Sequence, residues 1–211
     1  MSVATAPITR QPVLADLIAR PAGRPRAFAV DATLVLAGVA LVALLAKVSF
    51  FIGPVPISGQ TLGVIVVGAA LGAKRAAASL TTYMLIGLAG VPVFAGPTAG
   101  PAYVLMPSFG FVLGFIPAAF VAGWVAERAW DRNPPLAFIG FVGASIVPFL
   151  IGVPYMAMIL GAVMGQDVTL AGALDAGVWP FVVPGLIKAA FAASLIPVTW
   201  LLVRAADRAK R

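Results

Sequence analysis

Six stretches of the chain are dominated by Leu, Ile, Val, Ala and Phe: about Ala32 to Ile52, Gln60 to Ala73, Ala77 to Phe94, Tyr103 to Ala126, Leu136 to Met164 and Val178 to Val203. None alternates apolar and polar positions as barrel strands do. A run of roughly 20 apolar residues pairs its backbone groups within itself by forming a helix, as a bilayer requires. The pattern therefore predicts an all-α integral membrane protein with six transmembrane helices. The second stretch is short for a hydrocarbon layer of about 30 Å. The fifth contains Pro148 and Pro154. These two are expected to be tilted, broken or partly re-entrant.

The polar positions divide the chain into a tail at 1–30, a six-helix domain at 31–205 and a short tail at 206–211. The first tail carries Arg10, Arg20, Arg24 and Arg26 around a weakly helical stretch. It lacks an apolar core followed by a small-residue cleavage site, so it reads as a cytoplasmic tail. An organellar transit peptide is the other reading of its Arg-rich, acid-poor composition. Lys and Arg between the stretches set the topology, because basic loops stay cytoplasmic. Twelve of the fourteen basic residues fall in the tails, after the second stretch (Lys74, Arg75), after the fourth (Arg128, Arg132) or just after the sixth (Arg204). The intervening segments, 53–59, 95–102 and 165–177, hold no Lys or Arg and only Asp167 and Asp175 as charges. Both termini are expected inside.

Composition sharpens this picture. Hydrophobic residues make up 62% of 211 positions and charged ones 10%, with a mean hydropathy of +1.07. Most of the surface must therefore meet lipid. The 22 Gly and 18 Pro lie in or beside apolar runs, where small residues let helices approach closely and prolines mark kinks and helix starts. A net charge of +7 arises from loops and tails, so it points to topology and not to nucleic acid. The chain has no Cys and no His. Disulfides, thiol nucleophiles, the usual metal ligands and the usual general base near neutral pH are thereby absent. No catalytic or metal-ligating set is assigned, and a membrane-embedded enzyme becomes an unfavoured reading.

Two cations remain in the outer half, Lys47 and Lys188. Lys47 sits where a long side chain snorkels to the interface at little cost. Lys188 lies deeper, in Pro180-Phe-Val-Val-Pro-Gly-Leu-Ile-Lys. If Pro184 opens the helix, Lys188 lies one turn in, and its ammonium adds to the unpaired amides of the helix start. That is an anion site of the kind transporters use for carboxylates. The bland alternative pairs Lys188 with Asp175 or Asp167, or lets it snorkel outward. Phe50, Phe51, Phe94, Tyr103, Phe109, Phe111, Tyr155, Trp179 and Phe181 gather toward the same face. They serve either as an interfacial belt or as walls of an apolar pocket. Gln60, Thr61 and Ser108 are its candidate polar groups. The Gly- and Pro-rich outer segments suit a lid and plain turns equally. Ala37, Ala40, Ala43 and Ala46 recur at a spacing of three, either for internal packing or as a stripe for a partner's helices. No Walker A pattern is present, so any ATP-driven step belongs to another chain.

Three segments carry a family resemblance: Gly53-Pro-Val-Pro-Ile-Ser-Gly-Gln-Thr-Leu-Gly-Val, Gly68-Ala-Ala-Leu-Gly-Ala-Lys-Arg and Gly87-Leu-Ala-Gly-Val-Pro-Val-Phe-Ala-Gly. Their order resembles the BioY family, biotin-binding S components of energy-coupling-factor (ECF) transporters, over nearly the whole chain from Ala32. The resemblance implies a bacterial inner-membrane, non-enzymatic subunit that takes biotin from outside, with no cofactor. The biotin carboxylate is expected near Lys188, with Gln60, Phe94, Tyr103, Phe109, Phe111 and Tyr155 around the ligand. The implied partners are membrane lipid, a transmembrane coupling subunit docking at Ala40, Ala43 and Ala46, and cytoplasmic ATPase subunits. A carrier for another small carboxylated vitamin is the alternative. Two departures stand out. Phe111 replaces a tyrosine of the family pattern, and Gly185 stands where the family places an acid three residues before the lysine.

Overall fold

The computed structural model describes residues 10–17 and 24–209. It contains α1 (Arg24–Lys47), β1 (Ser49–Phe51), β2 (Pro56–Ser58), α2 (Gln60–Leu71), α3 (Ala73–Leu88), α4 (Phe109–Ala126), α5 (Pro134–Met158), α6 (Leu170–Gly177) and α7 (Trp179–Ala209). The protein is thus mostly helical, as expected. Among the described residues, four helical segments are long and apolar enough to cross a membrane: Pro25–Lys47, Phe109–Ala126, Pro134–Val163 and Leu170–Ala206. α2 is shorter, as predicted, and α3 has 16 residues.

α4 is the central helix. Two thirds of its span is buried against 17% for α1, and it packs along α5 while touching α2 and α3. Its apolar residues surround it on all sides, which suits a helix enclosed by others. Small residues make these crossings close. Gly68 of α2 faces Ala119 and Ala122, Gly114 faces the backbone at Pro148, and Gly123 faces Gly72 and Ala73. A methyl group at any of these would push two backbones apart. Gly72 adopts φ +82 between α2 and α3, a conformation that glycine enters without steric cost. The Glu127 carboxylate then accepts from the Ala73 amide at 2.9 Å, satisfying one of the unpaired donors that begin α3.

Several boundaries differ from the hydrophobic pattern. The stretch expected to be helical up to Ile52 ends at Lys47, and residues 49–58 form an antiparallel hairpin pairing Ser49 with Ser58. β-branched and aromatic residues beside Gly53 and two prolines favour this turn over continued helix. α3 stops at Leu88 instead of Phe94, and α4 starts at Phe109 instead of Tyr103, which lies in a 3₁₀ turn (Pro101–Leu105). α5 runs unbroken through Pro148 and Pro154 and ends in a π turn, Ile159–Val163. In a bundle, neighbouring helices absorb the backbone group a proline frees. The segment 165–177 includes α6, capped by the Thr169 hydroxyl on the Gly172 amide.

The helix containing Lys188 starts at Trp179, so Pro184 is interior and not in its first turn. Lys188 is nine residues from that start, too far for the unpaired amides of the terminus to contribute. The first helix begins at Arg24, inside the predicted tail. Residues 10–17 fold back on the bundle, with Val13 and Ala15 buried. Arg20, Lys210 and Arg211 lie outside the described residues.

Candidate functional site

Three elements converge on Lys188. The hairpin ends at Ser58, α2 begins two residues later at Gln60, and α7 brings Lys188 to both. The Lys188 ammonium donates to the Ser58 carbonyl at 2.6 Å and to the Thr61 hydroxyl at 3.0 Å. Among the described residues no carboxylate pairs with it, so the alternative of an Asp167 or Asp175 partner does not hold. Two neutral acceptors leave the positive charge uncompensated and one N–H to spare.

Around this ammonium lies a narrow cavity of about 40 Å³. Val55 and Pro56 of the hairpin, Tyr103, Phe111, Phe115, Phe149 and Phe181 form most of its wall. Phe111, Phe149 and Phe181 pack as a trio with ring centres 5.8 to 6.2 Å apart. Gly152 of α5 makes room for the Phe111 ring; a side chain there would collide with it. Polar groups are few: Ser58, Gln60, Thr61 and Ser108 besides Lys188 and Tyr103. Apolar walls with a handful of placed polar groups suit a small organic molecule, and the bare ammonium suits an anionic group on it.

Of the residues singled out from the sequence, Lys188, Gln60, Tyr103 and Phe111 line this cavity. Phe94, Phe109 and Tyr155 stand behind it. Phe94 stacks on Tyr103 with centres 4.0 Å apart, and Phe109 meets Tyr103 and Tyr155 edge-on. The Tyr155 hydroxyl is spent on the Val104 carbonyl. Phe50, Phe51 and Trp179 are exposed, as belt residues would be. The hydroxyl of Tyr103 bonds Ser108 at 3.1 Å. Burial pushes that phenol's pKa up, with the Ser108 bond opposing, so Tyr103 stays neutral.

Sequence reading missed Tyr83. It is fully buried on α3, where its hydroxyl receives the Gln60 side-chain N–H at 2.8 Å and donates to the Val93 carbonyl at 3.0 Å. The signal was a phenol in mid-helix, which must find a polar partner when buried. It also missed Phe115, Pro148 and Phe149, whose positions give no hint of the helix face they occupy. Gly185 faces away from the cavity, toward an apolar groove between α5 and α7 lined by Ser145, Val182 and Leu186. A Cβ there would meet nothing within 4 Å, so an acid at this position would point into the groove. On α1, Ala40 is exposed, Ala43 half-buried and Ala46 fully buried. The triplet therefore does not share one face, because a spacing of three drifts around a helix of 3.6 residues per turn.

Fold and site define a helical membrane protein with a narrow, aromatic-walled cavity and a lysine ammonium beneath a β-hairpin. The family model of BioY matches residues 3–205, and the chain belongs to the BioY family. It is 35% identical over 162 residues to a probable biotin transporter BioY of Pyrococcus horikoshii, covering 77% of this chain and 91% of the relative. It is 32% identical to the biotin transporter BioY of Rhizobium etli, covering 72% and 81%. The crystal structure of an S-component for biotin from an ECF-type ABC transporter has the same fold. The TM-score is 0.59 at 22% identity, covering 84% of this chain and 94% of that one.

Proposed function

We propose that this chain is a membrane subunit for biotin uptake, capturing biotin from the outer face in the cavity beside Lys188. The observation that carries the reading is an ammonium held by two neutral oxygens, with no carboxylate partner among the described residues, at the edge of an aromatic pocket. A valerate carboxylate completes that charge, and the bicyclic ring of biotin is assigned to the space among Phe111, Phe149, Phe181 and Tyr103. Their rings must part to admit it, because the cavity holds about 40 Å³. Membership of a family whose curated relatives are biotin transporters supports the ligand.

Six spans with both termini inside is the topology that goes with this reading. Its support is a shared basic face. Arg10 reaches Glu127 at 3.0 Å, Arg132 donates to the Pro12 carbonyl at 2.9 Å, and Arg75 meets Asp16 and Asp31. By analogy with the S-component it resembles in fold, the chain assembles with an ECF coupling subunit and ATPase subunits in the bacterial inner membrane. The exposed flank of α1 around Ala37 and Ala40, with Ala43 at its edge, is the proposed docking face. Ala46, being buried, packs internally.

The test is biotin titration of purified protein in detergent, with lipoate as competitor and biotin methyl ester as a neutral ligand. Saturable biotin binding that lipoate leaves untouched is expected. The ester should bind more weakly than biotin to the wild type and as well as biotin to Lys188→Ala. Absence of biotin binding would overturn the ligand, and an ester that matches biotin on the wild type would overturn the role of Lys188.

A further inference from the structure

Lys47 is the second outer-half cation, and the proposed ligand contacts leave it unused. A lysine at the end of a membrane helix ordinarily extends into water. Here its ammonium turns onto the protein and donates to the Phe94 carbonyl at 3.0 Å, 47 residues away. The neighbouring carbonyl, that of Val93, accepts the Tyr83 hydroxyl at 3.0 Å. Two adjacent peptide groups of the segment joining α3 to the Pro101 turn are thus gripped by side chains from different helices.

Both grips lead to the cavity wall. The Phe94 ring, fully buried, lies edge-on to Tyr83 and flat on Tyr103 at 4.0 Å, and Tyr103 lines the cavity. The ring sits over Gly87, where any side chain would occupy its place. Along the other path, Tyr83 receives the Gln60 amide N–H at 2.8 Å, and the Gln60 oxygen accepts the Ser58 hydroxyl at 2.8 Å. The direction of this chain of bonds is determined. Tyr83 has one proton and gives it to a carbonyl that can only accept, so toward Gln60 it can only receive.

We propose that Lys47 is a positioning residue: by holding the Phe94 carbonyl it seats the 93–94 strap that presents Tyr103 and Gln60 to the ligand. This rests on the cavity beside Lys188 being the biotin site. A strap pinned at two points resists the outward movement of the wall that ligand escape demands. Removing one pin therefore acts on dissociation more than on association.

The experiment is stopped-flow binding of biotin to the full chain in detergent, comparing wild type, Lys47→Met, Lys47→Arg, Tyr83→Phe and the Lys47→Met/Tyr83→Phe pair. Lys47→Met keeps the apolar stem and removes the donor. Dissociation about fivefold faster is expected, with association within about twofold, as loss of one charged hydrogen bond implies. Lys47→Arg should restore most of it. Because both side chains act through one strap, the double variant should fall short of the product of the single effects. Unchanged dissociation in Lys47→Met means that Lys47 merely snorkels, and overturns the proposal. So does equal slowing of association, or multiplicative single effects. Lys188→Ala, measured alongside, separates the two levels: if it leaves biotin binding intact, the site itself is misassigned, whereas its loss of binding beside a silent Lys47→Met sinks only the strap.

Discussion

At the arginine-rich end of the bundle, Arg75 is held by Asp16 at 3.1 Å and Asp31 at 2.9 Å, and Arg10 by Glu127 at 3.0 Å. At the opposite end Lys188 has, among the described residues, only a carbonyl and a hydroxyl. Both ends desolvate charge, yet one neutralises it within the chain and the other does not. A buried cation left short of an anion costs stability on its own account. It persists where the missing anion arrives with a ligand. Charge that ties the chain together is closed, and the charge proposed to serve capture is left open.

The sharpest way to break this contrast is Lys188→Ala. Loss of a partly buried charge pair with the ligand should weaken biotin binding about a hundredfold, while unfolding temperature without biotin holds or rises. A lower apo unfolding temperature would mean that Lys188 is structural like Arg75. Next in size is Gly87→Ala, which forces Phe94 off its seat. A cost of about 2 kcal/mol in stability is expected from overpacking, read as a thermal shift, together with weaker biotin binding through Tyr103. Arg75→Ala should show the reverse signature. Losing the link between Asp16, Asp31 and α3 should cost about 1.5 kcal/mol of stability, with biotin affinity unchanged in the same titration.

Much of this was legible in the residues. Helix type followed from long apolar runs, and Lys188 and Gln60 stood out because a polar side chain in such a run needs a reason to be there. Helix ends were not legible, since Phe50, Phe51 and Ile52 read equally as span or hairpin until the pairing of Ser49 with Ser58 is seen. Pro184 misled for a related reason. Proline is favoured in a first turn but is tolerated inside a packed membrane helix, and local sequence does not separate the cases. Phe94, Phe109 and Tyr155 were expected around the ligand but stand behind the cavity wall, because which face of a helix or loop meets the cavity depends on crossings set by Gly110, Gly114 and Gly152.

The carboxylates of the closed end include an exception, and it yields the smallest predicted effect. Asp131 is fully buried beside the end of α7, accepting the Trp200 indole N–H at 2.7 Å on one oxygen. Its other oxygen has no hydrogen-bond partner among the described residues. Burial pushes its pKa up to about 6 from 3.8, with the Trp200 bond, Arg132 and Arg204 opposing. The folded protein thus holds this proton at pH values where the unfolded chain has released it, so the contribution is greatest below pH 4 and is lost as pH rises through 6. Between pH 5 and pH 7 stability should fall by about 1 kcal/mol from this group. Without histidine in the chain, little else titrates in that window. Unfolding temperatures of wild type and Asp131→Asn across pH 5 to 7 should therefore differ in slope, the variant being flat. Equal slopes would place Asp131 with Asp16 and Glu127 among the paired carboxylates of its end.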